Sequence, residues 1–251
     1  MNLIIDIGNT RIKAGLFEQN EMKHSFVFDP VNPDQDATQA LMASDLFDNY
    51  TIKHVIVASV VSNISLLINY LQKKTSTLVF SAETATPLFN LYKSAGTLGS
   101  DRLAAAVGAH SLFPESDLLV IDAGTCIKYN FINSKAEYLG GAISPGLKMR
   151  FKALHTFTSR LPLVEADEQF DTLIGTTTTE SVLSGVEKGA AAEIDGFIEQ
   201  YQVLYPAIKI VLTGGDANFF EKRLKNTIFT DSFLILKGLN SILNYNLKAS
   251  E

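Results

Sequence analysis

The chain has 251 residues, 46% of them hydrophobic and 19% charged, which suffices for one large domain or two of about 100 to 150 residues, each with its own core. A net charge of −6 with no run of Lys or Arg argues against a general nucleic-acid or anionic-membrane surface, and no apolar run approaches the ~20 residues of a membrane span. One cysteine excludes an intrachain disulfide, the four histidines show no ligand spacing, and Met1 leads straight into an apolar strand with no signal peptide, so the cytoplasm is the expected compartment.

Residues 3–17, LIIDIGNTRIKAGLF, have the pattern of a buried strand, a tight loop and a second strand. Gly8 lets backbone N–H groups approach a phosphate closely, Asn9 and Thr10 offer hydrogen bonds, and Asp6 can face a hydrated cation carried on that phosphate. Neither GxxxxGKS/T nor GxGxxG occurs, which disfavours the Walker and Rossmann nucleotide folds. Residues 18–20 read as a turn and 22–29 as a third strand, making an antiparallel meander before a loop with Pro30 and Pro33. A helix over 34–48, a β-branched strand over 54–61, a helix over 64–71 and a strand over 76–80 follow, and an alanine-rich helix over 102–113 closes this half.

A second half begins near Leu118, after a short polar boundary at 114–117. Its hairpin, LVIDAGTCIK over 119–128, repeats the opening one with a single deletion in the loop. A strand over 138–143, a helix over 148–155, a long helix over 178–201, a strand over 208–212 ending in Thr213-Gly214-Gly215-Asp216, and a helix over 233–245 complete it. Gly185, Gly189 and Gly196 fall near one face of the long helix, which predicts close packing on another backbone. Asp216 reads as a cap or loop acid. Asp and Gly are ordinary turn residues after any strand, so it is the repetition that points to a phosphate site.

Two related halves with one acid-glycine hairpin each, closing on a nucleotide from both sides, resemble the acetate kinase, sugar kinase, Hsp70 and actin superfamily. That resemblance implies an α/β protein of duplicated ribonuclease H-like (actin-like ATPase) halves, each a mixed sheet with helices, here residues 1–114 and 115–251. Gly99-Ser100-Asp101-Arg102 opens the alanine-rich helix with an acid beside a base. Helix N–H groups there face an anion, Arg102 can fork onto a carboxylate, and Asp101 can take a hydroxyl proton. The alternative is a plain cap, with Ser100 or Asp101 at the N-cap and Arg102 in solvent.

DIGNTRIK at residues 6–13, Tyr92 ahead of GSDR at 99–102, DAGT at 122–125, GGAISPGLKMRFKAL at 140–154 and TGG at 213–215 together resemble type III pantothenate kinase, in the family's order and over nearly the whole chain. The resemblance implies that ATP phosphates lie against the first loop (Asp6, Ile7, Gly8, Asn9, Thr10, Arg11, Ile12, Lys13) and against Thr125, with Asp6 also meeting the Mg2+ that ATP carries. Tyr92, Gly99, Ser100, Asp101 and Arg102 would bind pantothenate, Asp101 as proton acceptor and Arg102 as a substrate contact. Asp122 matches a position that holds a monovalent cation, K+ or NH4+. A threonine of a G-x-x-T segment completes the substrate site across a homodimer interface, and the spacing selects Thr178 within the run 176–179.

The second loop departs from the family's DxGTATT, since Cys126, Ile127 and Lys128 replace small or hydroxyl residues. Side-chain contacts made there would differ, and an ammonium at Lys128 swinging into the cation position would substitute for the ion. Cys126 reads as a small buried filler, because phosphoryl transfer requires no thiol. Alternation leaves Lys13 open between a phosphate contact and an exposed strand residue. The expected reaction is ATP-dependent phosphorylation of pantothenate to 4′-phosphopantothenate. The alternatives are a kinase for another small polyol or acid, or a non-catalytic regulatory relative. Tyr92 and Arg102 discriminate the first, since a neutral sugar offers Arg102 no carboxylate. Intact Asp6, Asp101 and Asp122 argue against the second, since a pure binding role would not need the proton acceptor.

Overall fold

The computed structural model describes residues 1–8, 11–28, 33–44, 46–61 and 63–249. Its contacts divide into two units, one of Met1–Pro114, Ala136–Tyr138 and Phe233–Glu251, the other of Glu115–Lys135 and Leu139–Ser232.

In the first unit, β1 (Asn2–Ile7) is buried from Leu3 to Ile7, as an apolar strand covered on both faces should be. It pairs antiparallel with β2 (Ile12–Glu18), which pairs antiparallel with β3 (Glu21–Phe28) through a two-residue turn in which Gln19 takes a φ of 54°. The helix expected over 34–48 is instead two, α1 (Pro33–Ala43) and α2 (Leu46–Asn49). The break falls at Ser44, whose hydroxyl donates to the Leu41 carbonyl at 2.8 Å and so competes with the helical ladder. Strand β4 (His54–Ser59) lies parallel to β1, and after α3 (Ser65–Lys74) the chain returns as β5 (Ser76–Val79), parallel to β4. The five-stranded order is β3-β2-β1-β4-β5. A two-residue strand β6 (Phe89–Asn90) and α4 (Ser100–Leu112) follow, and α4 is buried continuously from Arg102 to Ala109.

The second unit repeats this plan. Strands β7 (Leu118–Ala123) and β8 (Cys126–Ile132) form the antiparallel hairpin, and β9 (Glu137–Pro145) leads into α5 (Leu147–Thr156). Helix α6 (Thr178–Leu183) runs through a π-helical turn at Ser184–Lys188 into α7 (Gly189–Leu204), so the single long helix expected here is interrupted. Strand β10 (Lys209–Thr213) is parallel to β7, and after α8 (Ala217–Glu221) the short β11 (Phe229–Thr230) is parallel to β10. The second sheet has the order β11-β10-β7-β8-β9-β6. Read outward from the hairpin, β9-β8-β7-β10-β11 matches β3-β2-β1-β4-β5. This is the duplicated ribonuclease H-like arrangement of mixed sheets and helices. Strand β6 is the addition, pairing parallel with Glu137 and Tyr138.

The last helix, α9 (Leu234–Lys248), groups with the first unit, although the sequence reading places it in the second half. The reason is a close crossing with α4. A Cβ on Gly108 would run into the Leu234 carbonyl, and one on Gly238 would run into the Ala104 carbonyl and the Gly108 nitrogen. Only glycine permits that approach. Buried Asn240 adds specificity, accepting from the Asn2 amide at 3.1 Å and donating to the Gln19 carbonyl at 2.8 Å. At Gly185, Gly189 and Gly196 an added Cβ would meet nothing within 4 Å, so the packing expected there is not made by the described residues.

Candidate active site

The first hairpin closes with Ile7 opposite Ile12, leaving residues 8–11 as the loop, and the Gly8 N–H donates to the Arg11 carbonyl at 2.9 Å. Asn9 and Thr10 lie outside the described residues, and Arg11 is exposed. Asp6 is buried and sits directly opposite Lys13. Directly opposed residues of an antiparallel pair project from the same face, so Lys13 accompanies the acid. Its Nζ lies 6.0 Å from the centre of the Phe233 ring. Lys13 is half-buried, not the exposed strand residue of the alternative reading.

At the start of α4 the N-cap is Gly99, one residue earlier than the plain-cap alternative requires. The Asp101 carboxylate folds back to accept the Arg102 backbone N–H at 2.8 Å. A Cβ on Gly99 would lie 2.5 Å from that oxygen, so glycine here leaves the carboxylate its place. Arg102 is buried, with its guanidinium carbon 5.6 Å from the centre of the Tyr92 ring, within reach of a cation–π contact. Tyr92 is held in turn by its edge-on packing with Tyr138 and by its N–H donating to the Asn90 side chain at 3.0 Å. Tyr92, Gly99, Ser100, Asp101 and Arg102 thus belong to one cluster in the first unit, and Arg102 is not in solvent.

The second hairpin closes with Ala123 opposite Ile127, leaving 124–126 as a loop one residue shorter than the first, and the Gly124 N–H donates to the Cys126 carbonyl at 3.0 Å. Thr125 is exposed and Cys126 half-buried, so the cysteine is not the buried filler expected. Two segments brace this loop, backbone against backbone. A Cβ on Gly146 would collide with the carbonyls of Gly124 and Thr125, and Gly214, at a φ of 103°, lies against the Ala123 carbonyl. The Asp216 N–H donates to that same carbonyl at 2.9 Å from the N-cap of α8. Asp122, buried, is in register with Lys128, whose Nζ donates to Asp122 Oδ2 at 2.9 Å.

A network around Glu193 was not legible in the sequence, because its members come from β8, β9, α5 and α7. Tyr129 and Ser144 donate their hydroxyls to Glu193 Oε1, and Arg150 donates to Oε2 at 2.6 Å while its Nε reaches the Pro145 carbonyl at 2.8 Å. Burial opposes ionisation of Glu193, but the bonds from Ser144 and Arg150 outweigh it and hold the carboxyl below its usual range. Burial, then the neighbouring Glu193 charge, pushes the Tyr129 phenol far up, which keeps it a donor.

Among the four threonines, Thr177 caps α6 by accepting the Glu180 N–H, and the Thr176 hydroxyl donates to the Glu180 carboxylate at 2.7 Å. Thr178 and Thr179 are exposed. No group of three or more His, Cys, Asp or Glu suited to a metal occurs among the described residues. No described helix is long and apolar enough to cross a membrane. A cavity of about 620 Å³ between residues such as Glu168, Glu187, Asp195 and Arg223 contains none of the residues singled out from the sequence.

Comparison with known proteins bears on this arrangement. A sequence model of the family described as type III pantothenate kinase matches residues 2–200. A type III pantothenate kinase from Bacteroides fragilis is 46% identical over 247 residues, 98% of this chain and 98% of that protein. One from Phocaeicola vulgatus is 44% identical over 249 residues, 99% and 100% of the two chains. Among solved structures, a Campylobacter jejuni protein named for the Baf family of transcriptional activators aligns with a TM-score of 0.63 at 22% identity, over 98% of this chain and 99% of that one. A ROK family glucokinase from Streptomyces griseus, in complex with glucose and AMPPNP, aligns with a TM-score of 0.55 at 11% identity, over 96% and 98%. At those identities the two structures speak for the fold alone. The sequence matches go further, and on them this chain belongs to the type III pantothenate kinase family.

Proposed function

We propose that the protein phosphorylates pantothenate with ATP to give 4′-phosphopantothenate, the first step towards coenzyme A. The observation that carries the reading, beside the family, is the start of α4, where the Asp101 carboxylate accepts the Arg102 backbone N–H and the buried Arg102 guanidinium lies 5.6 Å from the centre of the Tyr92 ring. Phosphoryl transfer to an alcohol is mostly positioning and charge neutralisation, with one carboxylate to orient and deprotonate the hydroxyl. Asp101 has that role, and Arg102 with Tyr92 holds the substrate's carboxylate end. Gly99 and Ser100 contribute the first turn of α4. The loop residues 6–13 and Thr125 contact the phosphates, and Thr178 contacts pantothenate from the partner of a homodimer. Open space at Gly185, Gly189 and Gly196 is consistent with a second copy packing there. We place the enzyme in the cytoplasm, with no nucleic-acid or membrane partner.

Mg2+ would enter with ATP, and a buried carboxylate at the end of β1 fits an ion that is held by one or two carboxylates and substrate phosphates. The metal would supply charge neutralisation on the phosphates, and Asp6 is the residue that would hold it. A free monovalent cation at Asp122 does not fit. The single negative charge of Asp122 is balanced by Lys128, and a second unit cation about 4 Å from that ammonium would be repelled by roughly 4 kcal/mol at an effective dielectric constant of 20.

The decisive experiment is a coupled ADP-release assay of purified protein with Mg-ATP, offering pantothenate against a panel of sugars. Release with pantothenate alone is expected. Release only with a neutral sugar would overturn the acceptor assignment, and release with neither would overturn the kinase reading. Sedimentation at assay concentration should show a dimer, and an active monomer would remove Thr178 from the substrate site.

A further inference from the structure

Each hairpin places a lysine directly across from its acid, Lys13 opposite Asp6 and Lys128 opposite Asp122. In the second, the ammonium is bonded to the carboxylate, and both side chains are largely withdrawn from solvent, 21% exposed for Lys128 and 8% for Asp122. Lys128 stands three residues beyond Thr125, so the pair lies at the root of the loop that Gly146 and Gly214 brace. A buried carboxylate here requires a counter-charge whatever supplies it.

We propose that Lys128 is that counter-charge and is a positioning residue for the second phosphate loop, so that turnover needs no free monovalent cation. A tethered ammonium occupies the place by covalent connection, with no dependence on salt composition. It also keeps Asp122 turned toward β8 and fixes the strand end from which Thr125 projects. The inference rests on the kinase reading above, and its failure is distinguishable from the failure of that reading.

The test compares potassium, ammonium and tetramethylammonium chlorides at equal ionic strength, reading pantothenate-dependent ADP release and the thermal midpoint of the unliganded protein. Wild type is expected to turn over within about two-fold in all three salts, with one midpoint, because no ion site is there to fill. Lys128→Met is expected to lose at least about ten-fold in tetramethylammonium, to recover in ammonium or potassium, and to gain a midpoint shift with those ions. Lys128→Arg keeps the charge and should keep the independence. Wild-type turnover that collapses in tetramethylammonium, or a wild-type midpoint raised specifically by potassium, would overturn the proposal even if Lys128→Met does not fold. Absence of ADP release in every salt would instead count against the kinase assignment.

Discussion

The two hairpins share a register and differ in what surrounds them. Asp6 faces Lys13 and Asp122 faces Lys128 at equivalent rungs, with a loop of residues 8–11 in one and 124–126 in the other. The first unit also carries, at the start of α4, a carboxylate and a buried guanidinium. The second adds rigidity, because Gly146 and Gly214 press their backbones against the loop and Glu193 ties β8, β9 and α5 to α7. A duplicated motif can therefore keep its acid and the lysine opposite while the segments around each copy diverge.

If that division is right, substitutions in the first cluster should change kinetics and leave folding alone. The largest effect is expected from Asp101→Asn, which keeps size but removes the proton acceptor. Its kcat should fall on the order of 10² to 10⁴ with an unchanged melting curve. Near-normal kcat would return Asp101 to a backbone-bonding role at the helix start. Arg102→Ala should cost about 10- to 150-fold, appearing mainly as a raised KM for pantothenate with ATP binding intact. A loss confined to kcat would break the assignment of Arg102 to ground-state binding.

Substitutions in the second cluster should do the reverse and change stability first. Gly146→Ala forces a Cβ onto the carbonyls of Gly124 and Thr125, which cannot swing aside, and should destabilise by roughly 1 to 3 kcal/mol in urea unfolding. Gly8→Ala meets, among the described residues, the Arg11 carbonyl at 3.1 Å, and should cost about 1 kcal/mol or less. Equal costs would mean that the two loops are braced alike. The smallest effect concerns Glu193. Its carboxyl titrates lower in the folded chain than its ordinary 4.5, so the unfolded state takes up protons first as the pH falls. The stability it contributes is fully present above about 4.5 and is lost as pH drops through the folded value. Urea midpoints measured across that range should fall less steeply for Glu193→Gln than for wild type.

Local patterns carried much of this. An apolar run into an acid and a glycine specifies strand, turn and strand, and the repeat with one residue deleted correctly anticipates the shorter second loop. The alanine-rich run with GSDR at its head specifies a helix and its start within two residues. At Gly185, Gly189 and Gly196 the described residues of this chain make no close approach, because small residues on a helix face permit one without naming the partner. The approach within the chain is at Gly108 and Gly238, far apart in sequence.

The sequence by itself determined the two hairpins, the order of strands and helices, and the residue types available for phosphoryl transfer, because these follow from periodicity, turn residues and neighbours along the chain. Tertiary structure alone decided that α9 joins the first unit, that Arg102 is buried beside Tyr92, and that Gly146 and Gly214 brace the second loop. Those outcomes depend on which segments meet after folding, where desolvation, carbonyl-to-carbonyl spacing and charge balance are set by groups that no local pattern connects.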